Sequence, residues 1–363
     1  MSREPASILD VARAAGVSGM TVSRVLNGRP NVSAATRTRV LAAMEELRFR
    51  PSRAARALST KRSRTIGLLV AAGAQYGPAS CVSAVEEAAR ERGYYTSVAR
   101  LGADSPDALA AAVGDLLDQD VEGIVVVAPR AGVMSGLAPL AGGVPLMAAQ
   151  SGDDRGARMM MMYLIGQGHR RILHVAGPQD WDDAHARLMA YESGLRLAGL
   201  PVLPPVFGDW TAESGYAAGH QLLWGQPDAQ AVPGFTAAFC ANDQMALGLI
   251  HALREAGLDV PGDVSVAGFD DIPEAAHFWP PLTTVRQDFG AAGRNCAALL
   301  IDAIGQAGKP GAAVPAPGGA DPRLIVRNSV AAVSPAPAAG ARRADTAHGW
   351  PQSDPRQRGT DVA

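Results

Sequence analysis

The chain changes its hydrophobic rhythm once. Over residues 7–48 isolated apolar residues recur three and four apart among small, hydroxyl and arginine residues. From Thr65 onward short continuous apolar runs alternate with amphipathic segments. The first rhythm predicts short surface helices and the second predicts buried strands covered by helices. Ser7-Ile8-Leu9-Asp10 fits a capping box, opening a helix that runs to about Ala15. Gly16 supplies the positive φ of a tight turn, Val17 plugs the angle between helices, and Ser18 caps a second helix through Leu26. There Val22, Val25 and Leu26 form the buried stripe, while Gly19, Met20, Thr21, Ser23 and Arg24 fall elsewhere. Asn27-Gly28 ends it, and Ser33 caps a third helix, Ala34 to Arg48, whose Val40, Leu41, Met44 and Leu47 close a small core. This is helix-turn-helix grammar. The hydroxyls and the arginine on helix two are groups that bond to phosphates and base edges in a major groove.

The segment "RPSRAARALSTKRS" (50–63) follows, with a proline stop, a Ser52 cap and one short arginine-flanked helix carrying Ala55 and Leu58 on one side. After a DNA reader, such an exposed leucine is placed to wedge open a base step in the minor groove. Beyond it, "TIGLLVAA", "YYTSVA", "GIVVVAP" and "VPLMAA" alternate with helical stretches, and a second round runs through "RRILHVAG", "TAAFCA" and "VSVAGFDD". This is βαβ rhythm, hence two successive lobes with parallel sheets. Ligands of such sheets bind beyond the carboxyl ends of the strands, where Asn242, Asp243, Asp270 and Asp271 fall.

Charge sharpens this division. The 363-residue chain has a net charge of −2, but residues 1–64 hold thirteen Lys/Arg against four Asp/Glu, leaving twenty against thirty-one elsewhere. A basic head on an acidic body is expected to meet a polyanion with the head alone. No apolar run is long enough to span a bilayer, and the polar "MSREPAS" start predicts no signal peptide. Cys81, Cys240 and Cys296 are read as reduced core or near-surface thiols. His169, His174 and His185 lack ligand spacing and are expected at surface or capping positions. Met159 to Met162 are expected to pack as a helix face. The adjacent Asp182-Asp183 and Asp270-Asp271 pairs come without nucleophile, phosphate loop or GxGxxG, so no enzymatic activity is expected.

The motifs "ILDVARAAGVSGMTVSRVLN", "PSRAARAL", "HVAGP", "GDW", "ANDQMALG", "SVAGFDD" and "PPLTTVRQDF", in this order over residues 7–330, resemble the lac repressor (LacI/GalR) family of transcription regulators. The resemblance implies an all-α helix-turn-helix head joined to an α/β periplasmic-binding-protein-like core of two parallel-sheet lobes. It divides the chain into a DNA-binding domain (1–50), hinge helix and linker (51–64) and effector-binding core (65–330). A disordered tail (331–363) without leucine heptads follows. The first lobe is expected over about 65–150 and 283–312, the second over about 151–282 and 313–330. By the same resemblance Gly19, Met20 and Arg24 match base-reading positions, and Ser18, Thr21, Ser23, Asn27, Ser33 and Thr36 belong to the DNA-facing set. Ser52, Ala55 and Leu58 are the hinge's share. Arg187, Trp210, Asn242, Asp270, Gln287 and Phe289 are the implied effector ligands.

Four departures stand out. Gly19 offers no side chain to a base, Ala149 replaces an acidic residue, and roughly a strand's worth of chain is missing after it. Val127 likewise replaces a polar contact of the first lobe. The expected function is a cytoplasmic, nucleoid-associated repressor that binds double-stranded operator DNA as a homodimer, without cofactor, metal or membrane. Its effector is expected to be a sugar. A nucleobase or sugar-phosphate effector, a solute-binding protein and an α/β enzyme with an accessory DNA domain are the alternatives.

Overall fold

A computed structural model describes residues 6–26, 31–50, 57, 60, 62–70, 75–101, 105–127, 130, 132–149, 154–224, 234–306 and 321–333. Three helices make the head: α1 (Ile8–Ala15), α2 (Gly19–Leu26) and α3 (Ala34–Glu46). The capping box is present as read, with the Ser7 hydroxyl accepting from the Asp10 amide at 3.3 Å and the Asp10 carboxylate accepting from the Ser7 amide at 2.9 Å. Gly16 closes α1 at φ 64°, a left-handed conformation that a side chain would oppose. Val11, Val22, Val25 and Val40 form the buried centre with Ala12, Ala15 and Ala43, and Leu26, Met44, Leu47 and Phe49 pack around it. Leu41 is a correction, since it is 52% exposed. The inward positions are Val40 and Ala43, three residues apart, and at 100° per residue Leu41 turns away from both.

In the first lobe, β1 (Thr65–Val70), β2 (Tyr95–Arg100), β3 (Ile124–Val127) and β4 (Leu146–Ala149) form a parallel sheet of order β2-β1-β3-β4. Helices α4 (Tyr76–Glu91), α5 (Pro106–Leu117) and α6 (Val133–Leu140) cover it. The shortened segment has a simple outcome. The chain leaves β4 at Ala149, and the next element, α7 (Arg155–Gly166), already packs in the other lobe, where a Cβ on Gly156 would stand 2.8 Å from Phe269. The first crossing therefore falls between Ala149 and Arg155, and residues 150–153 of it lie outside the described set.

The second lobe repeats the plan. Strands β5 (Ile172–Ala176), β6 (Val206–Phe207), β7 (Ala237–Cys240) and β8 (Ser265–Ala267) run parallel in the order β6-β5-β7-β8. Helices α8 (Asp182–Leu197), α9 (Ala212–Trp224) and α10 (Asp243–Glu255) flank them. β5 and β7 are buried at every position, as strands covered on both faces must be. The return crossing comes later than the expected 283. Thr283 bridges to Ala267, Asp270 bridges to Arg286, and β9 (Thr284–Arg286) pairs antiparallel with β10 (Arg323–Ile325), so all remain with the second lobe. Among the described residues, only α11 (Phe289–Gln306) rejoins the first lobe, packing with Cys296 and Leu300 against Val85 and Ala89 of α4. The expected re-entry at 313 lies outside the described residues. The first residues of the expected tail are ordered, since Ala331 donates to the Ser265 hydroxyl and Val333 to the Gln167 carbonyl; residues 334–363 lie outside the described set.

Two sequence expectations fail for reasons of packing. Met160 and Met161 are buried but Met162 is 75% exposed, since four consecutive helical residues sweep a full turn. His169 and His174 are buried, not surface or capping groups. His174 lies stacked between Tyr191 and Phe239, with Nδ1 2.8 Å from the Phe239 carbonyl, and burial lowers its pKa to about 4, so it is neutral.

Candidate functional site

Two surfaces carry the candidate chemistry. On the head, α2 leaves Met20 67% exposed and Arg24 exposed, while Val22 and Val25 hold the helix to its core. Gly19 is partly covered by Ile8 and Leu9 and adds no functional group. Ser18 and Thr21 are paired across the start of α2 at 2.9 Å, and Ser33 and Thr36 across the start of α3 at 2.9 Å. Each serine also accepts the amide three residues on at 3.2 Å. These four side chains therefore fix the helix starts, the two serines exposed and the two threonines half-buried. Ser23 is half-buried on α2. Asn27, Ser52, Ala55 and Leu58 lie outside the described residues.

The second surface is a cleft between the lobes, with about 600 Å³ of space open to solvent. Gly77, Pro78, Cys81, Val127, Ala149 and Phe289 form its first-lobe wall together with Gln75. The second lobe supplies Trp181, Asp182, Asp183, Arg187, Trp210, Asn242 and Asp270. The two walls differ in kind, one almost wholly apolar and the other aromatic and charged.

On the polar wall the sequence-derived set is drawn together. Arg187, 7% exposed, pairs with Asp270 at 3.4 Å, donates to the Ala241 carbonyl and lies over the rings of Phe269 at 4.1 Å and Trp210 at 5.4 Å. Gln287 donates to the same Asp270 oxygen at 2.8 Å from behind; it holds the carboxylate and does not itself line the cleft. Burial raises the Asp270 pKa to about 6 against the lowering pull of Arg187 and Gln287. Asp243, buried behind it, is pushed up to about 8 by burial and by the Asp270 charge, while Thr284 at 2.6 Å and the Ile272 amide at 2.8 Å donate to it. Asp271 points away from its neighbour, toward Arg286 at 2.6 Å and Arg327 at 2.7 Å.

Asn242 lines the cleft and is also bonded within its own lobe. Its Oδ1 accepts from the Met245 amide at 2.9 Å as the N-cap of α10, and its Nδ2 donates to the Trp210 carbonyl and to Gln244, each at 2.9 Å. The amide thus anchors Trp210. That tryptophan sits at φ 76° and Asp270 at φ 107°, strained backbones of the sort that surrounding structure must enforce. A Cβ on Gly177, at the end of β5, would stand 2.5 Å from the Trp210 ring, so the glycine lets the indole lie flat against the strand end. Phe289 faces the cleft from the first lobe, edge-on to Tyr76 at 6.0 Å.

Trp181 and Gln75 were not singled out from the sequence, and Asp182-Asp183 was weighed only as a catalytic pair. The signal was present in part, because Trp181-Asp182-Asp183 opens α8 just past the carboxyl end of β5. Trp181 meets Trp210 edge-on at 5.9 Å. It also joins the lobes: Arg130 of the first lobe bridges to Trp181 through backbone, lies 5.4 Å from its ring and pairs with Asp180 at 3.3 Å.

Comparison with known proteins covers both surfaces. Residues 7–52 match the model of bacterial regulatory proteins, lacI family, and residues 161–330 match a periplasmic binding protein-like domain. The lactose operon repressor of Escherichia coli (strain K12) is 34% identical over 310 residues, 82% of this chain and 84% of that protein. The lac repressor dimer bound to operator and the anti-inducer ONPF superposes with a TM-score of 0.81 at 33% identity, covering 91% of this chain and all of the other. A complex of the transcriptional regulator CelR with cellobiose superposes with a TM-score of 0.64 at 33% identity, covering 89% and 99%.

Proposed function

We propose, from the premise that the chain belongs to the lacI family of bacterial regulatory proteins, that it is a DNA-binding transcriptional repressor whose operator affinity is set by a sugar bound between its lobes. It acts as a homodimer and is not an enzyme. The observation that carries the reading is the joining, in one chain, of an exposed helix α2 to a cleft lined from two lobes. Met20 and Arg24 reach base edges, while Ser18, Thr21, Ser23, Ser33, Thr36 and the N-termini of α2 and α3 meet phosphates. Asn27 and the hinge residues Ser52, Ala55 and Leu58 complete the contact. With Gly19 silent, the operator differs from that of the lac repressor. Two heads read half-sites about one helical turn apart. The repressor works in the cytoplasm, at the nucleoid where its DNA lies.

Sugar binding is supported by the Arg187–Asp270–Gln287 group beside the Trp210 face, since planar indole and fixed polar groups suit a ring of hydroxyls. Effector and operator are reciprocally coupled, typically by about 1–3 kcal/mol. The test is selection of bound duplexes from a random library with the purified protein. A pseudo-palindromic site is expected, and Arg24→Ala is expected to relax preference at one position of each half. No enriched site, or unchanged preference in Arg24→Ala, refutes the assignment.

A further inference from the structure

Resting on the reading that the head binds operator DNA, we propose that Leu9 of α1 is a base-reading residue. Laid beside Gly19, it reaches the major groove and packs on the 5-methyl group of a thymine in each half-site.

Helix α1 sorts its side chains by what they touch. Val11, Ala12 and Ala15 are buried in the core of the head, Ile8 packs partly against them, and Asp10 is spent on the capping box with Ser7. Leu9 belongs to neither group and stays 67% exposed. Its Cδ2 stands 3.6 Å from the place a Cβ on Gly19 would take, so it lies against the first residue of α2. Among the described residues nothing in the head requires glycine there. Gly19 is helical, not left-handed, and a Cβ on it would meet Ile8 Cγ2 and Leu9 Cδ2 at an ordinary 3.6 Å. A longer side chain at 19 would compete with Leu9 for this place, and glycine leaves it to the leucine.

Met20, the next residue, is 67% exposed as well, so the start of α2 carries an apolar side chain to either side of Gly19. The surface around them is of the opposite kind, with Ser18 and Arg24 exposed and thirteen Lys/Arg against four Asp/Glu over residues 1–64. Phosphates call for donors, which leucine and methionine side chains lack. In the major groove the apolar group on show is the thymine 5-methyl, and apolar side chains are what contact it. An exposed leucine is ordinary by itself. What singles out Leu9 is its seat on the first turn of the helix that carries Met20 and Arg24, at the one place where that turn offers no side chain of its own. Leu9 supplies from α1 the contact that Gly19 cannot make.

The experiment uses the full-length protein and the duplex it selects from the random library. Each thymine of both half-sites is exchanged in turn for deoxyuridine, which deletes the methyl group and keeps every hydrogen-bonding atom. Kd is read by fluorescence anisotropy at one fixed salt concentration. Methyl removal at one position is expected to weaken binding about fourfold per half-site, as loss of one buried methylene-sized group does, and roughly fifteenfold with both halves changed. Leu9→Ala is expected to bind the thymine duplex more weakly by a similar factor and to be indifferent to uracil at that position. Leu9→Gln, which keeps the reach but not the apolar tip, is expected to do the same, whereas Met20→Ala keeps the methyl effect there. Both Leu9 variants are expected to unfold in urea at the parent's midpoint, since the side chain lies outside the core of the head. A selected site at which no thymine is sensitive to loss of its methyl, or a sensitivity that persists at every position in Leu9→Ala and Leu9→Gln, overturns the proposal and leaves the repressor reading standing. A chain that selects no site refutes that reading and the proposal with it.

Discussion

Arg187→Ala separates the charge of the buried pair from its packing, because Asp270 has a means of escape. In the intact protein the Asp270 carboxyl titrates at about 6, raised by burial and restrained by Arg187. Breaking a buried pair by removing one partner commonly destabilises by about 3–5 kcal/mol. Here the stranded carboxylate takes up a proton instead. At pH 8 the ionised form of the intact pair lies below its protonated form by two pH units at about 1.36 kcal/mol each, about 2.7 kcal/mol. The charge part of the loss cannot exceed that figure. The sign follows from linkage: the folded pKa of Asp270 already lies above the unfolded value near 3.9, and losing Arg187 raises it further. Stability tied to this group is therefore full below the unfolded value and lost as pH rises through the folded one, earlier in the intact protein and later in the variant. The difference between the two proteins grows as pH climbs above about 6, by about 1.4 kcal/mol per unit until the variant's own pKa is reached. Below pH 6 only the contacts of the guanidinium with Phe269, Trp210 and the Ala241 carbonyl remain to be lost. Urea unfolding of both proteins at half-unit steps from pH 5 to 8 measures this. A stability difference that does not change with pH would refute the reasoning, and Arg187→Ala/Asp270→Asn is expected to flatten the profile.

Three further outcomes follow from the same walls. Gly177→Ala drives a methyl into the Trp210 ring, and overpacking of about 1–3 kcal/mol is expected, with weaker sugar protection in a thermal-shift assay; an unchanged melting point and unchanged protection would free Trp210 from that seat. Asn242→Ala is expected to lose about 1 kcal/mol of helix cap by urea titration, whereas Asn242→Asp keeps the cap and loses only the donor to the Trp210 carbonyl. Equal loss of effector affinity in both, with stability spared only in Asn242→Asp, is the expected pattern. Arg130→Ala removes a part-exposed ion pair and a cation–π contact, together worth about 1 kcal/mol, so amide exchange around residues 178–182 is expected to quicken about fivefold; unaltered exchange would show that Arg130 does not clasp the lobes.

Local signals were the most legible part of the chain. The Ser7–Asp10 box and Gly16 act within one turn of backbone, so sequence spacing alone determines them. The βαβ rhythm gave both parallel sheets, because strands covered on two faces must be apolar throughout. What failed depended on distant partners. His174 is as buried as its valine neighbour, and only the ring pair Tyr191 and Phe239, brought from another helix and another strand, explains a histidine there. Arg187, Asp270 and Gln287 converge as their motifs implied, yet spacing could not reveal that Gln287 would stand behind Asp270 or that the Asn242 amide would be spent on a cap. Trp181 was missed, and Asp183 was weighed only as half of a catalytic pair, because a helix start carries no mark of what it faces until the other lobe is in place.

The difference between the walls bears on how the cleft could act on the head. The second lobe holds its polar groups rigidly, by strained backbones at Trp210 and Asp270 and by bonds that need no ligand. The first lobe contributes apolar surface, the Arg130 clasp and the exit of the linker. That exit is fastened firmly. Arg62 pairs with Glu122 at 2.5 Å and donates to the Tyr94 hydroxyl at 2.6 Å, the Arg64 amide donates to Glu122 at 2.9 Å, and Ser63 donates to the Asp120 carbonyl at 2.5 Å. Glu122 holds both side chain and backbone across this short stretch, and its pKa is lowered by those bonds although burial alone would raise it. A rotation of the first lobe over a ligand seated in the second would thus carry residues 62–64 with it. Effector binding then needs no change inside the head, only a differential in how well the two lobe angles suit the ligand. By linkage, whatever change of lobe angle alters operator affinity must let operator binding alter the cleft's affinity in return.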